Sequence, residues 1–60
     1  MARLRAKYKV GDYVVFCFAG GIEYGTVLEM VKETKEVKYS IKDKAGYKYP
    51  VSQDKVIKKI

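Results

Sequence analysis

A chain of 60 residues forms one domain with a small core, because at this length only about 60% of the surface of the unfolded chain is buried. Thirteen basic against seven acidic residues give a formal net charge of +6, which favours nucleic acid, an acidic protein surface or an anionic membrane leaflet as partner. One cysteine and no histidine exclude an internal disulfide and the usual zinc sites, and no apolar run is long enough to cross a bilayer, so we expect a cytoplasmic protein without a cofactor.

The first nine residues, MARLRAKYK, are predicted to form a basic arm. Its cationic side chains occupy alternate positions, with no acidic residue among them: Arg3, Arg5, Lys7 and Lys9. In an extended segment, side chains two positions apart point the same way. The arm would therefore present its cations to one side, ahead of a folded domain that we place at residues 10–60.

The first predicted strand, residues 13–19, is apolar at every position, although a half-buried strand should alternate apolar with polar side chains. Gly20 and Gly21 after it supply the positive φ angles of a two-residue type I′ hairpin turn. The second strand, residues 22–31, is therefore expected to run antiparallel to the first. Gly25 interrupts that strand, and a glycine there commonly marks a bulge or a sharp bend.

Three more strands follow. Residues 37–42 alternate cleanly between apolar and polar side chains, and residues 47–51 alternate again, with Pro50 arguing for an edge strand or a strand end. A last short strand is predicted at residues 55–59. No stretch combines helical periodicity with capping signals, so we predict no helix beyond a single 3₁₀ turn near Ser52.

These elements predict an all-β fold. Five short antiparallel strands are too few for a two-layer sandwich, and curling the sheet into a small barrel buries one continuous face. We therefore predict a five-stranded antiparallel barrel. Its interior should be lined by Val14, Phe16, Phe18, Val27 and Ile41.

Three short motifs carry a resemblance to a known fold family. A glycine-aspartate turn opens VGDYVVF at residues 10–16, a glycine precedes the hydrophobic residues of GTVL at residues 25–28, and YSI lies at residues 39–41. In these features the chain resembles the SH3-like small barrels, particularly Tudor and KOW-type domains. It is most similar to bacterial Tudor-like domains in which V-G-D-x-V precedes G-x-V and Y-x-I. The resemblance extends from Lys9 to Ile60 and implies an SH3-like barrel.

The resemblance also implies a non-catalytic binding module. Families of this fold read methylated lysine or arginine in an aromatic cage, bind nucleic acid, or dock peptides. By analogy, five tyrosines become candidates for a binding surface: Tyr13, Tyr24, Tyr39, Tyr47 and Tyr49. Their aromatic rings alternatively fill the barrel with hydroxyls at its rim, which we expect of Tyr39 and Tyr49.

The chain lacks the residues that catalysis needs. Cys17 has no histidine to activate it, and a small barrel offers little room for a cleft with paired carboxylates. Gly20 and Gly21 are not followed by the helix and lysine of a phosphate-binding loop. Asp12 is expected to close its turn by accepting hydrogen bonds from backbone amides. We therefore expect that the protein is not an enzyme.

The outward face of the first strand, formed by Tyr13, Val15 and Cys17, is unusually apolar and requires a cover. Three covers are possible: Leu4 and Tyr8 of the basic arm, Ile57 and Ile60 near the C-terminus, or another molecule, including a second copy of the chain in a homodimer.

Two functions remain open. The first is protein–protein interaction or oligomerisation through a surface of Tyr13, Val15, Cys17, Tyr24 and Tyr47. The second is nucleic-acid binding, in which tyrosine rings stack on bases. The phosphates would be held by Arg3, Arg5, Lys7, Lys9, Lys38, Lys42, Lys44 and Lys48. The apolar outer face favours the first. An accessory protein, complete at sixty residues, is compatible with both.

Overall fold

The structure, a computed structural model, describes residues 5–60 and forms one sheet of five antiparallel strands. The strands are β1 Tyr13–Phe18, β2 Gly21–Lys32, β3 Val37–Lys42, β4 Lys48–Ser52 and β5 Val56–Lys59. A 3₁₀ turn at Gln53–Lys55 connects β4 to β5 and is the only helical element in the described part of the chain. The predicted all-β class, the strand number and the 3₁₀ turn near Ser52 are confirmed.

The strands follow the order β4-β3-β2-β1-β5 across the sheet. The long strand β2 pairs with β1 through its first half and with β3 through its second half, and Thr26 has a partner on both sides. Strands β4 and β5 form the two edges, so the sheet is not closed and the predicted closure into a barrel is not confirmed. Pro50 lies on the edge strand β4, as its missing N–H predicts.

Strand β3 approaches β2 closely at Gly25. A Cβ atom on Gly25 would lie 2.6 Å from the carbonyl oxygen of Lys42 and 2.7 Å from Cγ2 of Ile41. The bulge in the β2–β3 pairing lies further along, between Val27 and Glu29. The glycine therefore marks a close backbone approach, and the bulge that the sequence analysis considered at this position belongs to Leu28.

The β1–β2 hairpin turn differs by one residue from its prediction. Phe18 pairs with Gly21, so the two turn residues are Ala19 and Gly20, with φ angles of 51° and 82°. Positive φ at both central positions is the requirement of a type I′ turn. The turn type is as predicted, but the assignment to Gly20 and Gly21 was wrong because an alanine occupies the first left-handed position.

Replacing Ala19 by asparagine is expected to stabilise the fold by up to about 1 kcal/mol. The left-handed conformation costs an alanine roughly 1–2 kcal/mol, whereas asparagine tolerates it and Asn-Gly is the preferred type I′ pair. Urea unfolding of the two proteins measures the difference. Ala19→Val, which places a β-branched side chain at the same angle, should lower stability, and an asparagine variant no more stable than the valine variant would contradict the assignment.

The buried side of the sheet is the hydrophobic core. The predicted interior residues Val14, Phe16, Val27 and Ile41 are all at most 1% exposed, and Tyr39 is buried beside them. Phe18 and Tyr49 are half-buried and pack against this cluster. The core prediction is thus confirmed, with Phe18 at its margin.

The Gln53 side chain forms hydrogen bonds with the backbone of the described part of the N-terminal arm. The Gln53 Oε1 atom accepts a hydrogen bond from the Lys7 N–H at 2.8 Å, and its Nε2 donates to the Arg5 carbonyl at 2.9 Å. The Tyr39 hydroxyl donates to Gln53 Oε1 and accepts from the Tyr8 N–H. The Tyr8 ring packs edge-on against Tyr39, with centroids 5.8 Å apart. Tyr8 therefore packs on the core, where it does not cover the outward face of β1.

Candidate functional site

The outward face of β1 is buried only in part, since Tyr13 at its start is 47% exposed. Val15 is only 5% exposed, and it lies between Tyr24 of β2 and Lys58 of β5, which are its direct partners in the two strand pairings. Cys17 is half-buried. From the sequence, three covers were open for this face: the basic arm, the C-terminal residues or another molecule. In the structure Val15 is already buried, with in-register neighbours on both sides, so little of its side chain is accessible to a partner.

The two possible covers from within the chain do not serve this role among the described residues. Tyr8 packs on the core, and Ile57 and Ile60 are themselves exposed. Leu4, the other proposed plug, lies outside the described residues, as does Arg3.

Tyr13 and Tyr24 form an exposed aromatic pair. Their rings stack with centroids 6.4 Å apart and planes inclined by 21°, and each side chain remains about half exposed, at 47% and 51%. Tyr47 is also exposed, but it belongs to the β3–β4 loop and joins none of the aromatic pairs within residues 5–60. The structure thus brings together two of the three exposed tyrosines that the sequence analysis named.

A row of side chains crosses four strands next to this pair. Tyr13 pairs with Thr26, Thr26 pairs with Lys42, and Lys42 pairs with Lys48. Directly opposed residues project from the same face of a sheet. We call Tyr13, Thr26, Lys42 and Lys48 the tyrosine–lysine row.

Neither lysine of this row forms an ion pair with a carboxylate in the described part of the chain. Ion pairs in the described part of the chain join Lys38 to Glu33 and Glu36, at 3.8 and 3.7 Å, and Lys59 to Asp12 at 3.5 Å. Lys42 and Lys48 take part in none of them. Like charges directly opposite each other on a sheet are destabilising, so this pairing has a cost in the isolated protein.

Lys44 extends the row at the β3–β4 loop. Tyr13, Thr26, Lys42, Asp43 and Lys44 line a shallow cavity of about 310 Å³. A second cavity of about 320 Å³ adjoins it through Tyr13, Asp43 and Lys44 and reaches Glu23, Tyr24 and Ala45. Aromatic and cationic side chains that are far apart in the sequence therefore share one surface.

One of the two acidic residues that line these cavities, Asp43, is engaged within its own loop. Its carboxylate accepts hydrogen bonds from the N–H groups of Ala45 and Tyr47, at 3.0 and 2.9 Å, and from the Tyr49 hydroxyl at 2.8 Å. Desolvation alone would raise the pKa of Asp43, but the hydrogen bonds from Tyr49 and the loop backbone outweigh it and lower the pKa. The hydrogen bond that the Tyr49 hydroxyl donates to Asp43 is the main cause, and desolvation the second, that raises the pKa of Tyr49 to about 12. The carboxylate thus holds the loop that presents Lys44.

Asp12 closes the turn before β1, as predicted. Its Oδ2 atom accepts a hydrogen bond from the Lys9 N–H at 3.0 Å. That bond, with the nearby Lys59 ammonium, outweighs desolvation and lowers the pKa of Asp12.

The eight cations proposed for nucleic-acid contact fall into separate groups. Lys42, Lys44 and Lys48 share the surface described above, whereas the charge of Lys38 is offset by Glu33 and Glu36. The described cations of the arm, Arg5, Lys7 and Lys9, are exposed along the segment that Gln53 holds. Sequence reasoning did not include Thr26, which connects Tyr13 to the lysines, because only the register of both β2 pairings reveals it.

Residues 5–60 contain no group of three or more metal-ligating side chains placed to hold an ion. No helix in this part of the chain has the length and apolar character needed to span a membrane. Comparisons with protein-family models, with curated proteins and with solved structures find no match to this chain.

Proposed function

We propose that the sheet is a small barrel of the SH3-like kind and that it serves as a non-catalytic binding module. Support for the barrel comes from β2, which shares its two halves between β1 and β3 and carries a bulge between Val27 and Glu29. Further support comes from the 3₁₀ turn that returns β5 to the side of β1. Both features are typical of a sheet that curls around a single core, which is how a small barrel buries its inner face.

The function that the geometry favours is nucleic-acid binding through the tyrosine–lysine row. The observation that carries this proposal is the direct opposition of Lys42 and Lys48 without a carboxylate partner in the described part of the chain. A phosphate group between two ammonium groups removes their repulsion and gains charge-assisted hydrogen bonds from both. Lys44 on the adjoining loop adds a third cation to the same side.

The proposal is tested by fluorescence anisotropy of labelled DNA and RNA oligonucleotides with the full chain. We expect binding at about 50 mM salt that weakens steeply towards about 200 mM. The double variant Lys42→Gln/Lys48→Gln should bind more weakly and flatten the log–log salt dependence by about 0.7 to 0.9 for each lysine removed. Lys32→Gln/Lys35→Gln, which also removes two exposed positive charges but at the opposite end of the β2–β3 pairing, is the matched control.

Stability measurements on the same variants separate binding from folding. Lys48→Gln should leave the free energy of unfolding unchanged or raise it by up to about 1 kcal/mol, because it removes a like-charge pair. No detectable binding of any oligonucleotide at low salt would contradict the proposal. An equal loss of affinity in Lys32→Gln/Lys35→Gln would show that net charge alone attracts the probe.

A second candidate function is protein interaction or self-association, favoured by exposed apolar side chains beside β1. Ile22, which lies opposite Cys17, is 55% exposed, and Ile60, whose N–H donates to the Tyr13 carbonyl at 2.8 Å, is also exposed. These two side chains lie beside opposite ends of β1, and exposed apolar surface is typical of interaction sites.

This candidate predicts a dimer in sedimentation equilibrium that Ile22→Lys converts to a monomer. Ile22 is preferable to Val15 for the test, because a lysine at the buried Val15 would disturb the fold itself. A monomer at all concentrations would leave self-association without support. A bound protein partner would then have to be sought with the same Ile22→Lys control.

A further inference from the structure

We infer that the nucleic acid bound at this surface is single-stranded, with a base on the Tyr13–Tyr24 pair and neighbouring phosphates on Lys42 and Lys48. This inference rests on the proposed function and specifies its ligand. It depends on the aromatic pair, whereas the proposed function depends on the lysines.

The aromatic pair is exposed enough to stack on a base. Two stacked tyrosine rings that remain about half exposed leave apolar ring surface in water. A planar base covers such surface while the phenolic hydroxyls stay hydrated, and base–aromatic stacking is tolerant of sequence. A duplex keeps the faces of its bases inside its own stack, so only an unpaired base can make this contact.

The other described tyrosines do not offer the same platform. The ring of Tyr39 is buried, and those of Tyr8 and Tyr49 pack edge-on against core aromatic residues. Tyr47 is exposed but has no aromatic partner in the described part of the chain. Tyr13 and Tyr24 alone combine exposure, stacking and a shared cavity wall with lysines.

The spacing of the tyrosine–lysine row matches a base and its adjoining backbone. Adjacent strands lie about 4.8 Å apart, so the row from Tyr13 to Lys48 extends about 14 Å across the sheet. The small side chain of Thr26 separates the ring of Tyr13 from Lys42, and the cavity there is at the lower end of the size of small-ligand sites. This space suits one base followed by its backbone.

The lysines lie where the backbone of a bound nucleic-acid strand would continue beyond the tyrosine pair. Cationic side chains follow the aromatic pair towards β4, where Lys42 and Lys48 are opposed, and Lys44 borders both cavities. The Asp43 carboxylate in the same cavities is occupied by three hydrogen bonds from its own loop and from Tyr49. A bound strand would therefore meet the ammonium groups after leaving the tyrosine rings.

The test compares labelled oligothymidylate of about ten nucleotides with a duplex of the same length, using the full chain at low salt. We expect the single strand to bind more tightly. Tyr24→Leu, which keeps an apolar side chain but removes the ring, should weaken single-strand binding about five- to one-hundredfold and leave duplex binding unchanged. Tyr24→Phe should retain wild-type affinity, and Tyr47→Leu serves as the exposed, unstacked control.

The chain contains six tyrosines and no tryptophan, so its intrinsic fluorescence reports on the tyrosines directly. Quenching on addition of oligothymidylate should be smaller in Tyr24→Leu than in Tyr47→Leu. Equal affinity for single strand and duplex, with no effect of Tyr24→Leu, would overturn the inference and leave the lysine-based proposal standing. Failure of both probes to bind would overturn both.

Discussion

Replacing Gly25 by alanine is expected to destabilise the protein by about 3 kcal/mol, near the upper end of overpacking effects. The added Cβ would lie 2.6 Å from the Lys42 carbonyl oxygen and 2.7 Å from Ile41 Cγ2. The first of these is a backbone atom within the β2–β3 pairing, so relief requires β3 to move away from β2. A chain of this length has a free energy of unfolding of about 3 to 9 kcal/mol, so the loss is large.

Gly21→Ala is the matched control, since it makes the same substitution in the same strand. A Cβ on Gly21 would meet its nearest atom, the Phe18 carbonyl oxygen, at an ordinary 3.7 Å. We expect Gly21→Ala to leave stability unchanged or slightly raised, because alanine restricts the unfolded chain more than glycine does. Urea unfolding followed by circular dichroism measures both variants. Equal stability of the two would show that β3 does not approach Gly25 this closely.

Replacing Phe16 by alanine is expected to cost about 3–5 kcal/mol, which is a large part of the free energy of unfolding expected for so short a chain. The Phe16 side chain is completely buried and belongs to the single hydrophobic cluster of the described residues. Its ring packs edge-on against Tyr49 with centroids 5.4 Å apart. So small a core has few other side chains that could move into the cavity.

The control is Phe18→Ala, two residues further along the same strand. Phe18 also packs on Tyr49, at 4.9 Å, but it is half-buried at the margin of the cluster. We expect this variant to fold with a smaller loss of stability, and Phe16→Leu to recover much of the loss of Phe16→Ala. A loss of stability in Phe16→Ala no larger than that in Phe18→Ala, measured by urea unfolding, would contradict the assigned position of Phe16 in the core.

These folding variants differ in kind from the surface variants proposed above. Gly25 and Phe16 act through packing, so their substitution removes any binding together with the fold. Lys42 and Lys48 are exposed and mutually repulsive, so their substitution should separate affinity from stability. A local arrangement that opposes stability is a feature expected at functional sites.

Much of the fold follows from the sequence because strand signals are local. The strict alternation of apolar and polar side chains in residues 37–42 predicted β3 with the bounds that the structure has. The apolar segment 13–19 contains the core residues Val14 and Phe16. Asp12 was recognised from its turn, and Pro50 was correctly placed on an edge strand. A side-chain period of two assigns each residue to a face without knowledge of the partner strand.

Several features could not be predicted from local patterns. The turn residue Ala19 is an alanine with positive φ, where the pattern favoured two glycines. The burial of Val15 depends on its flanking partners Tyr24 and Lys58, and the sheet leaves β4 and β5 as edges where a closed barrel was expected. Each of these depends on which strands meet and in what register.

By itself, the sequence determined the all-β class, the approximate strands and the side chains of the core, because alternation and turn chemistry act over a few residues. Only the tertiary structure decided that Tyr13, Thr26, Lys42 and Lys48 form one row. The reason is that strand register is a long-range property: it is set by the hairpins and by the bulge at Leu28, and a shift of one residue would turn either lysine to the other face.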